Sequence, residues 1–156
     1  MESRLNYVKA SPEAYKAMSG LEMYVKHSGL EKSLLELIKT RASQMNGCAF
    51  CLDMHTKDAR AAGETEQRLY ALSAWRETPF FTDRERAALE WTETITCIAD
   101  THAPDSVYES ARKHFTEKEM VDLTMAIVTI NAWNRLAISF RSVPGSYQSK
   151  TVETHH

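Results

Sequence analysis

The sequence predicts an all-α protein, a compact bundle of about six to seven helices in a single domain. Alanine, with 18 copies, outnumbers every branched aliphatic residue, and alanine is the strongest helix former. The 156 residues include only 5 glycines and 4 prolines, which is few for the turns of a protein built from many short strands. Apolar residues also recur at helical spacing, as in the stripe of Leu34, Leu35, Ile38, Ala42 and Met45.

Capping and chain-breaking residues divide the chain into seven predicted helices. Ser11 followed by Pro12 is typical of a helix start, because proline is favoured at the first helical position. Ser28-Gly29 ends this first helix, and Asn46-Gly47 separates the second helix from the third. The predicted helices cover residues 12–27, 31–46, 49–62, 65–77, 82–99, 105–114 and 116–140.

Two of these helices begin with a capping box, in which the N-cap hydroxyl and a glutamate three residues later each bond the other's backbone. Thr82 with Glu85 opens the fifth helix, and Thr116 with Glu119 opens the last one. Pro144-Gly145 then ends the predicted domain, which spans residues 1–145. We expect the tail over 146–156 to be mobile, and its last two histidines are either native or added.

The last predicted helix is apolar on nearly every side between Ala126 and Trp133. It should therefore lie at the centre of the bundle or in a subunit interface. Asn131, Asn134 and Arg135 interrupt this apolar surface, and buried polar groups need partners. We expect them to form a structural hydrogen-bond network or a subunit contact.

Charge and hydropathy exclude several classes of function. With 19 basic and 21 acidic residues the formal net charge is −2, so no positive surface for nucleic acid is expected. No apolar run approaches the ~18–20 residues that span a membrane, and the first residues lack the apolar core of a signal peptide. We expect a cytoplasmic protein, whose three cysteines are catalytic, metal-binding or buried rather than a structural disulfide framework.

The most informative motif is Cys48-Ala-Phe-Cys51, at the start of the third predicted helix. Cysteines three residues apart in a first helical turn have Cα atoms ~5 Å apart, within disulfide range. The free N–H groups and the helix dipole at this end favour the thiolate. His55 follows Cys51 by four residues, shares its helix face, and is a candidate proton acceptor for the thiol.

Glu36 completes the candidate site if the second and third helices form an antiparallel hairpin at Asn46-Gly47. At ~1.5 Å per residue, Glu36 then lies ~16 Å from the turn and His55 ~12 Å from it. The spatial order becomes Cys48, Cys51, His55, Glu36, in which a carboxylate orients a base beside a thiol pair. Cys48 should lie at the exposed turn, where a reductant can reach it.

The residues alone leave other interpretations open. Cys48, Cys51, His55 and Glu36 could close a tetrahedral zinc site. The cysteines could also be two buried small residues, with Glu36 a solvated helix residue. Cys97 has no partner in the sequence and is expected in the core.

One motif of the sequence resembles the alkylhydroperoxidase D-like branch of the carboxymuconolactone decarboxylase family. The motif consists of Glu36, eleven intervening residues and then Cys48-Ala-Phe-Cys51-Leu-Asp-Met-His55. The match is specific over 36–63 and looser over about 5–145. The resemblance implies an all-α fold, a homotrimer or hexamer, and a thiol peroxidase cycle without cofactor or resident metal. In that cycle Cys51 attacks the peroxide, Cys48 resolves the sulfenic acid, and His55 with Glu36 relays the proton.

The resemblance also implies the partners, a small peroxide substrate and a dithiol reductant, which in this family is a lipoylated protein. One departure concerns Phe50, which stands where well-studied members carry a histidine, so Cys51 lacks one activating group. The alternatives are an enzyme acting on a small lactone through His55 and Glu36, and a non-enzymatic metal-binding or redox-sensing module.

Overall fold

A computed structural model describes residues 1–149 of the chain. Within this range all regular structure is helical, which confirms the predicted fold class. Nine α-helices and one 3-10 helix follow one another: α1 Tyr7–Ala10, α2 Pro12–Lys26, α3 Lys32–Asn46, α4 Ala49–Ala61, α5 Glu66–Ala71, the 3-10 helix Leu72–Glu77, α6 Asp83–Thr96, α7 Ile98–Thr101, α8 Asp105–Arg112 and α9 Glu117–Phe140.

The helices outnumber the prediction because short segments and breaks add to the seven long ones. The four-residue α1 precedes the first predicted helix. The helix predicted over 65–77 is divided, since Ala74 has non-helical backbone angles (φ −118°, ψ 30°) inside the 3-10 segment. The helix predicted over 82–99 ends at Cys97, after which the single turn α7 begins.

Helix α3 lies at the centre of the bundle, packed against α4, α6 and α9. The main core joins its apolar stripe, including Leu34 and Ile38, to Leu123 and Ile127 of α9 and Trp91 of α6. Both predicted capping boxes are present, at Thr82 with Glu85 and at Thr116 with Glu119. The two long helices that flank α3 therefore begin where the sequence indicated.

The turn between α3 and α4 is closed by backbone bonds that reverse the chain. Gly47 adopts the left-handed conformation, with φ +68°, which glycine takes without the steric cost of a Cβ atom. The Cys48 N–H donates to the Ser43 carbonyl at 3.0 Å, as in a Schellman motif. Helices α3 and α4 thus form the predicted antiparallel hairpin, with the two cysteines at its turn.

The buried asparagines of α9 hold this turn in place. The Asn46 amide donates to the side-chain oxygens of Asn131 and Asn134, each at 2.9 Å. The Asn134 amide in turn donates to the Ser43 hydroxyl at 3.0 Å, and Arg135 donates to the Asn131 side chain at 3.1 Å. The predicted hydrogen-bond network is confirmed, and it links α9 to the last turn of α3.

No helix between residues 1 and 149 combines the length and the apolar character that crossing a bilayer requires. Gly145, the last residue of the predicted domain, and Tyr147, in the tail predicted over 146–156, both contact α4. The Gly145 N–H donates to Asp53 at 3.0 Å, and the Tyr147 hydroxyl donates to Asp58 at 2.8 Å. Residues 150–156 of this tail lie outside the described residues.

Candidate active site

The two cysteines are joined as a disulfide at the N-terminus of α4, with Cα atoms 5.3 Å apart. Cys48 is the N-cap residue, and its sulfur accepts the Cys51 N–H at 3.3 Å. This donor and the helix dipole favour a thiolate at Cys48 in the reduced pair. Among residues 1–149, no N–H group donates such a bond to the Cys51 sulfur.

The prediction that Cys48 is exposed is wrong. Its side chain and backbone together are 1% exposed, and Cys51 is 2% exposed. Ala137 of α9 packs on both cysteines, and Phe50 packs against the same cluster. The end of α9 covers the cysteines at this turn. No local pattern in the sequence indicates this contact.

His55 and Glu36 lie together, as the hairpin prediction required. The His55 Nδ1 atom is 3.0 Å from Oε2 of Glu36, and both residues are buried. When Glu36 is a carboxylate it can only accept this hydrogen bond, so Nδ1 is then the donor. In a neutral imidazole with that tautomer, Nε2 is the nitrogen that can accept a proton.

Cys51 and His55 border the same cavity of about 410 Å³. Its wall is largely aromatic and apolar, and it is formed by Tyr7, Val8, Tyr15, Phe50, Met54, Trp133 and Ala137. Trp133 is fixed by a hydrogen bond from its indole N–H to Glu22 at 3.2 Å. Glu22 also forms an ion pair with Lys39, whose side chain is 8% exposed.

Asp58 borders this cavity and accepts a hydrogen bond from Tyr147, and neither residue was predicted from the sequence. Asp58 offers a carboxylate oxygen within 4.8 Å of donor atoms of Glu36 and His55. The Tyr147 hydroxyl lies 2.8 and 3.0 Å from the two Asp58 oxygens. Burial raises the pKa of Tyr147 to about 12, and the Asp58 hydrogen bond and the Asp58 and Glu36 charges act in the same direction.

The two missed residues differ in how they could have been found. Asp58 lies three residues after His55, so helical spacing alone places both on one face. Tyr147 is 89 residues away from Asp58 in the sequence, and no local pattern connects them. Its position depends on the path of the chain after α9.

The structure also bears on metal binding. Glu36, His55 and Asp58 provide one nitrogen and two oxygen donors that could hold a divalent ion. The four-residue zinc set of Cys48, Cys51, His55 and Glu36 requires thiolates. In the disulfide form the two sulfurs are bonded to each other, so that set is offered only by the reduced protein.

Comparison with known proteins identifies relatives over most of the chain. The family model of the carboxymuconolactone decarboxylase family matches residues 12–94. The uncharacterised protein YdfG of Bacillus subtilis (strain 168) is 50% identical over 139 residues, which cover 89% of this chain and 95% of YdfG.

Solved structures agree with this relationship. A protein of unknown function from Agrobacterium tumefaciens, ATU0492, provisionally named antioxidant defence protein AhpD, is 51% identical, with a TM-score of 0.91. The match covers 94% of this chain and all of that one. The debrominase Bmp8 shares the fold, with a TM-score of 0.76 at 17% identity over 89% of this chain and 75% of its own. The chain belongs to the carboxymuconolactone decarboxylase family, in its alkylhydroperoxidase D-like branch.

Proposed function

We propose that this protein is a thiol peroxidase that uses Cys48 and Cys51 as its redox pair, with His55 and Glu36 as the proton relay. The observation that carries the proposal is the position of Cys51 and His55 on one cavity, with Glu36 bonded to the far side of the imidazole. A buried thiol needs a base to ionise, and this base is already oriented.

In the proposed first step, the Cys51 thiolate attacks the distal oxygen of a hydroperoxide. The O–O bond breaks, the sulfur is oxidised to a sulfenic acid, and the leaving oxygen takes a proton to depart as water or an alcohol. His55 accepts the thiol proton through Nε2 and supplies a proton to the leaving oxygen. Glu36 stabilises the imidazolium between these two events.

In the second step, the Cys48 thiolate attacks the Cys51 sulfur. The S–O bond breaks, the released hydroxide takes a proton and leaves as water, and a disulfide forms. The 5.3 Å between the two Cα atoms suits this bond. A dithiol then reduces the pair by exchange and is itself oxidised to a disulfide. A cytoplasmic location, where thiols are kept reduced, suits such a cycle.

The cavity favours an organic hydroperoxide with an apolar body as the substrate. Tyr7, Tyr15, Phe50 and Trp133 surround a space of about 410 Å³ next to Cys51. Burying a methylene group in apolar surroundings is favourable by ~0.8 kcal/mol, so an alkyl or aryl hydroperoxide should bind better than hydrogen peroxide. Phe50, which replaces an activating histidine, adds to this apolar wall.

The test is a titration of free thiols with intact mass before and after one equivalent of cumene hydroperoxide. The pre-reduced protein should lose two thiols and two mass units, and Cys51→Ser should lose neither. Retention of both thiols would contradict the proposal. A lactone enzyme using His55 and Glu36 would keep its activity in Cys51→Ser and in Cys48→Ser, and metal analysis of the purified protein tests the zinc interpretation.

We further propose that the protein is a homo-oligomer. Two large apolar side chains of α9 are exposed in the single chain, Val121 at 60% and Val128 at 44%. A separate groove of about 590 Å³ between the N-terminal residues and α9 is also lined mainly by apolar side chains. Closed symmetric assemblies bury such surfaces. A monomer in sedimentation velocity at micromolar concentration would contradict this.

A further inference from the structure

The two cysteines of the disulfide border different cavities. Cys51 borders the aromatic cavity of about 410 Å³ described above. Cys48 borders a second cavity of about 500 Å³, between the start of α4, the end of α9 and the first residues of the chain. Phe50 and Ala137 border both cavities and therefore form the wall between them.

The charges around the two cavities are opposite. The Cys48 cavity is lined by Arg4 and Arg141, and no carboxylate is among its described lining residues. The Cys51 cavity is lined instead by the carboxylates of Glu22 and Asp58, without an arginine or lysine. An anion is therefore attracted to the Cys48 cavity, whereas no arginine or lysine lines the other cavity to bind it.

Neither arginine of the Cys48 cavity forms an ion pair within residues 1–149. The Arg4 guanidinium donates to the Ser139 carbonyl at 3.0 Å, which holds it at the end of α9. Arg141 is the exposed C-cap residue of α9 and has a left-handed backbone, with φ +52°. Among the described residues, no carboxylate competes with a ligand for either charge.

We propose that the dithiol that reduces the Cys48–Cys51 disulfide enters through the Cys48 cavity and carries a carboxylate. The inference rests on the proposed redox role of the pair. It assigns peroxide and reductant to opposite sides of one disulfide. A carboxylate on the dithiol would contact Arg4 and Arg141 while a thiolate approaches Cys48.

The exchange balances in two steps. A thiolate of the reductant attacks the Cys48 sulfur, the Cys48–Cys51 bond breaks, and Cys51 leaves with the electron pair and takes a proton from His55. The second thiol of the reductant loses its proton and attacks the reductant's other sulfur, which is bonded to Cys48 in the mixed disulfide. That bond breaks, and Cys48 leaves as a thiolate. The reductant ends as a disulfide, and the protein ends with two reduced cysteines.

The test compares two dithiols that differ in one charge, dihydrolipoate with its carboxylate and neutral dihydrolipoamide. The rate of disulfide reduction is measured without peroxide, by timed alkylation and intact mass. A close charge pair in water is worth a factor of about five, so dihydrolipoate should react about three- to tenfold faster at low salt. The preference should disappear in R4Q/R141Q and near 1 M salt, where the Debye length is ~3 Å.

The matched control is K32Q/K113Q, which removes the same charge from two exposed lysines that line neither cavity. It should keep the preference for dihydrolipoate. The Arg4 side chain also donates a hydrogen bond to the backbone. R141Q alone therefore provides a second variant, one that loses no side-chain hydrogen bond within residues 1–149. Equal rates for the two dithiols in the wild type, or an unchanged preference in R4Q/R141Q and in R141Q, would overturn the inference.

A second pair of variants tests the route itself. Ile138 and Val8 are exposed residues, each of which lines only one of the two cavities. Ile138→Trp should slow reduction by either dithiol and leave the reaction with peroxide unchanged, whereas Val8→Trp should do the reverse. The reverse pattern would overturn the inference. If peroxide fails to oxidise the pair while the dithiol preference is present, the proposed peroxidase function fails and the reductant route stands.

Discussion

Nδ1 of His55 and Oε2 of Glu36 lie 3.0 Å apart, although the residues belong to different helices and are 19 positions apart in the sequence. The contact exists because Gly47 turns the chain so that α4 runs back along α3. In the proposed cycle this contact sets the tautomer of His55 that accepts the proton of the Cys51 thiol.

Replacing the base should affect the peroxide step strongly. His55→Ala should slow oxidation of Cys51 by about 10²–10⁴-fold, because a positioned general base contributes that much. The lower end is expected, since Phe50 leaves the thiol with less activation. Stopped-flow tryptophan fluorescence under a small excess of hydroperoxide measures the step. A rate equal to that of the wild type would remove His55 from the relay.

Glu36→Gln should retain part of the rate that His55→Ala loses. The amide keeps the shape of the carboxylate but cannot stabilise an imidazolium by charge, and it can bond either tautomer. The rate of Cys51 oxidation should reach its plateau at a higher pH than in the wild type. The reason is that His55, whose cation is no longer stabilised by the Glu36 charge, then accepts the thiol proton less readily. A profile identical to that of the wild type would show that the Glu36 charge is not used.

The two cysteines should react unequally. Cys48→Ser leaves Cys51 beside His55, so one equivalent of peroxide should leave a sulfenic acid that dimedone labels. Cys51→Ser leaves Cys48 as a helix cap without a neighbouring base, and it should not label. Label on Cys51→Ser alone would reverse the roles and would make helix capping, rather than His55, the source of reactivity.

The bond between Tyr147 and Asp58 can be tested by the titration of the phenol. With the pKa of Tyr147 raised to about 12, the folded state favours the protonated form. This contribution to stability is complete below pH ~10, the ordinary value, and is lost as the pH rises towards 12. Asp58→Asn should move this titration down towards pH 10, as followed by tyrosinate absorbance with Tyr147→Phe as the blank.

The asparagine network should contribute measurably to folding. Asn134→Ala leaves the Ser43 hydroxyl and the Asn46 amide without one partner each. An unsatisfied buried group costs ~1–3 kcal/mol, so the free energy of unfolding should fall by about that amount in urea titrations. Exposed Asn6→Ala removes an N-cap of the short α1 and should have a smaller effect. A loss below that of Asn6→Ala would contradict the structural role.

Sequence patterns were sufficient for the parts of the site that lie close together in the chain. The spacing of Cys48, Cys51 and His55 is a property of one helix, and Gly47 is enough to bring Glu36 back along it. The burial of Cys48 could not be predicted, because it depends on Ala137, far away in the sequence. Distant packing leaves no periodic signal.

The helix boundaries likewise separate into those set by local bonds and those that involve distant contacts. The capping boxes at Thr82 and Thr116 mark true helix starts, since the bonds that define them are local. The break at Ala74 has no such local cause. Trp75 is buried there, and its indole N–H donates to Glu93 at 2.8 Å. This contact between Trp75 and Glu93 lies next to the point where the backbone departs from the continuous helix predicted over 65–77.

The wall of Phe50 and Ala137 has a kinetic consequence. In an enzyme with a single opening, spent reductant must leave before the next oxidant arrives, and either reactant in excess forms an unproductive complex that blocks the other. In the proposed cycle the two reactants approach opposite ends of one sulfur–sulfur bond. Each half-reaction would then begin while the previous product is still departing, and neither substrate would inhibit the reaction of the other.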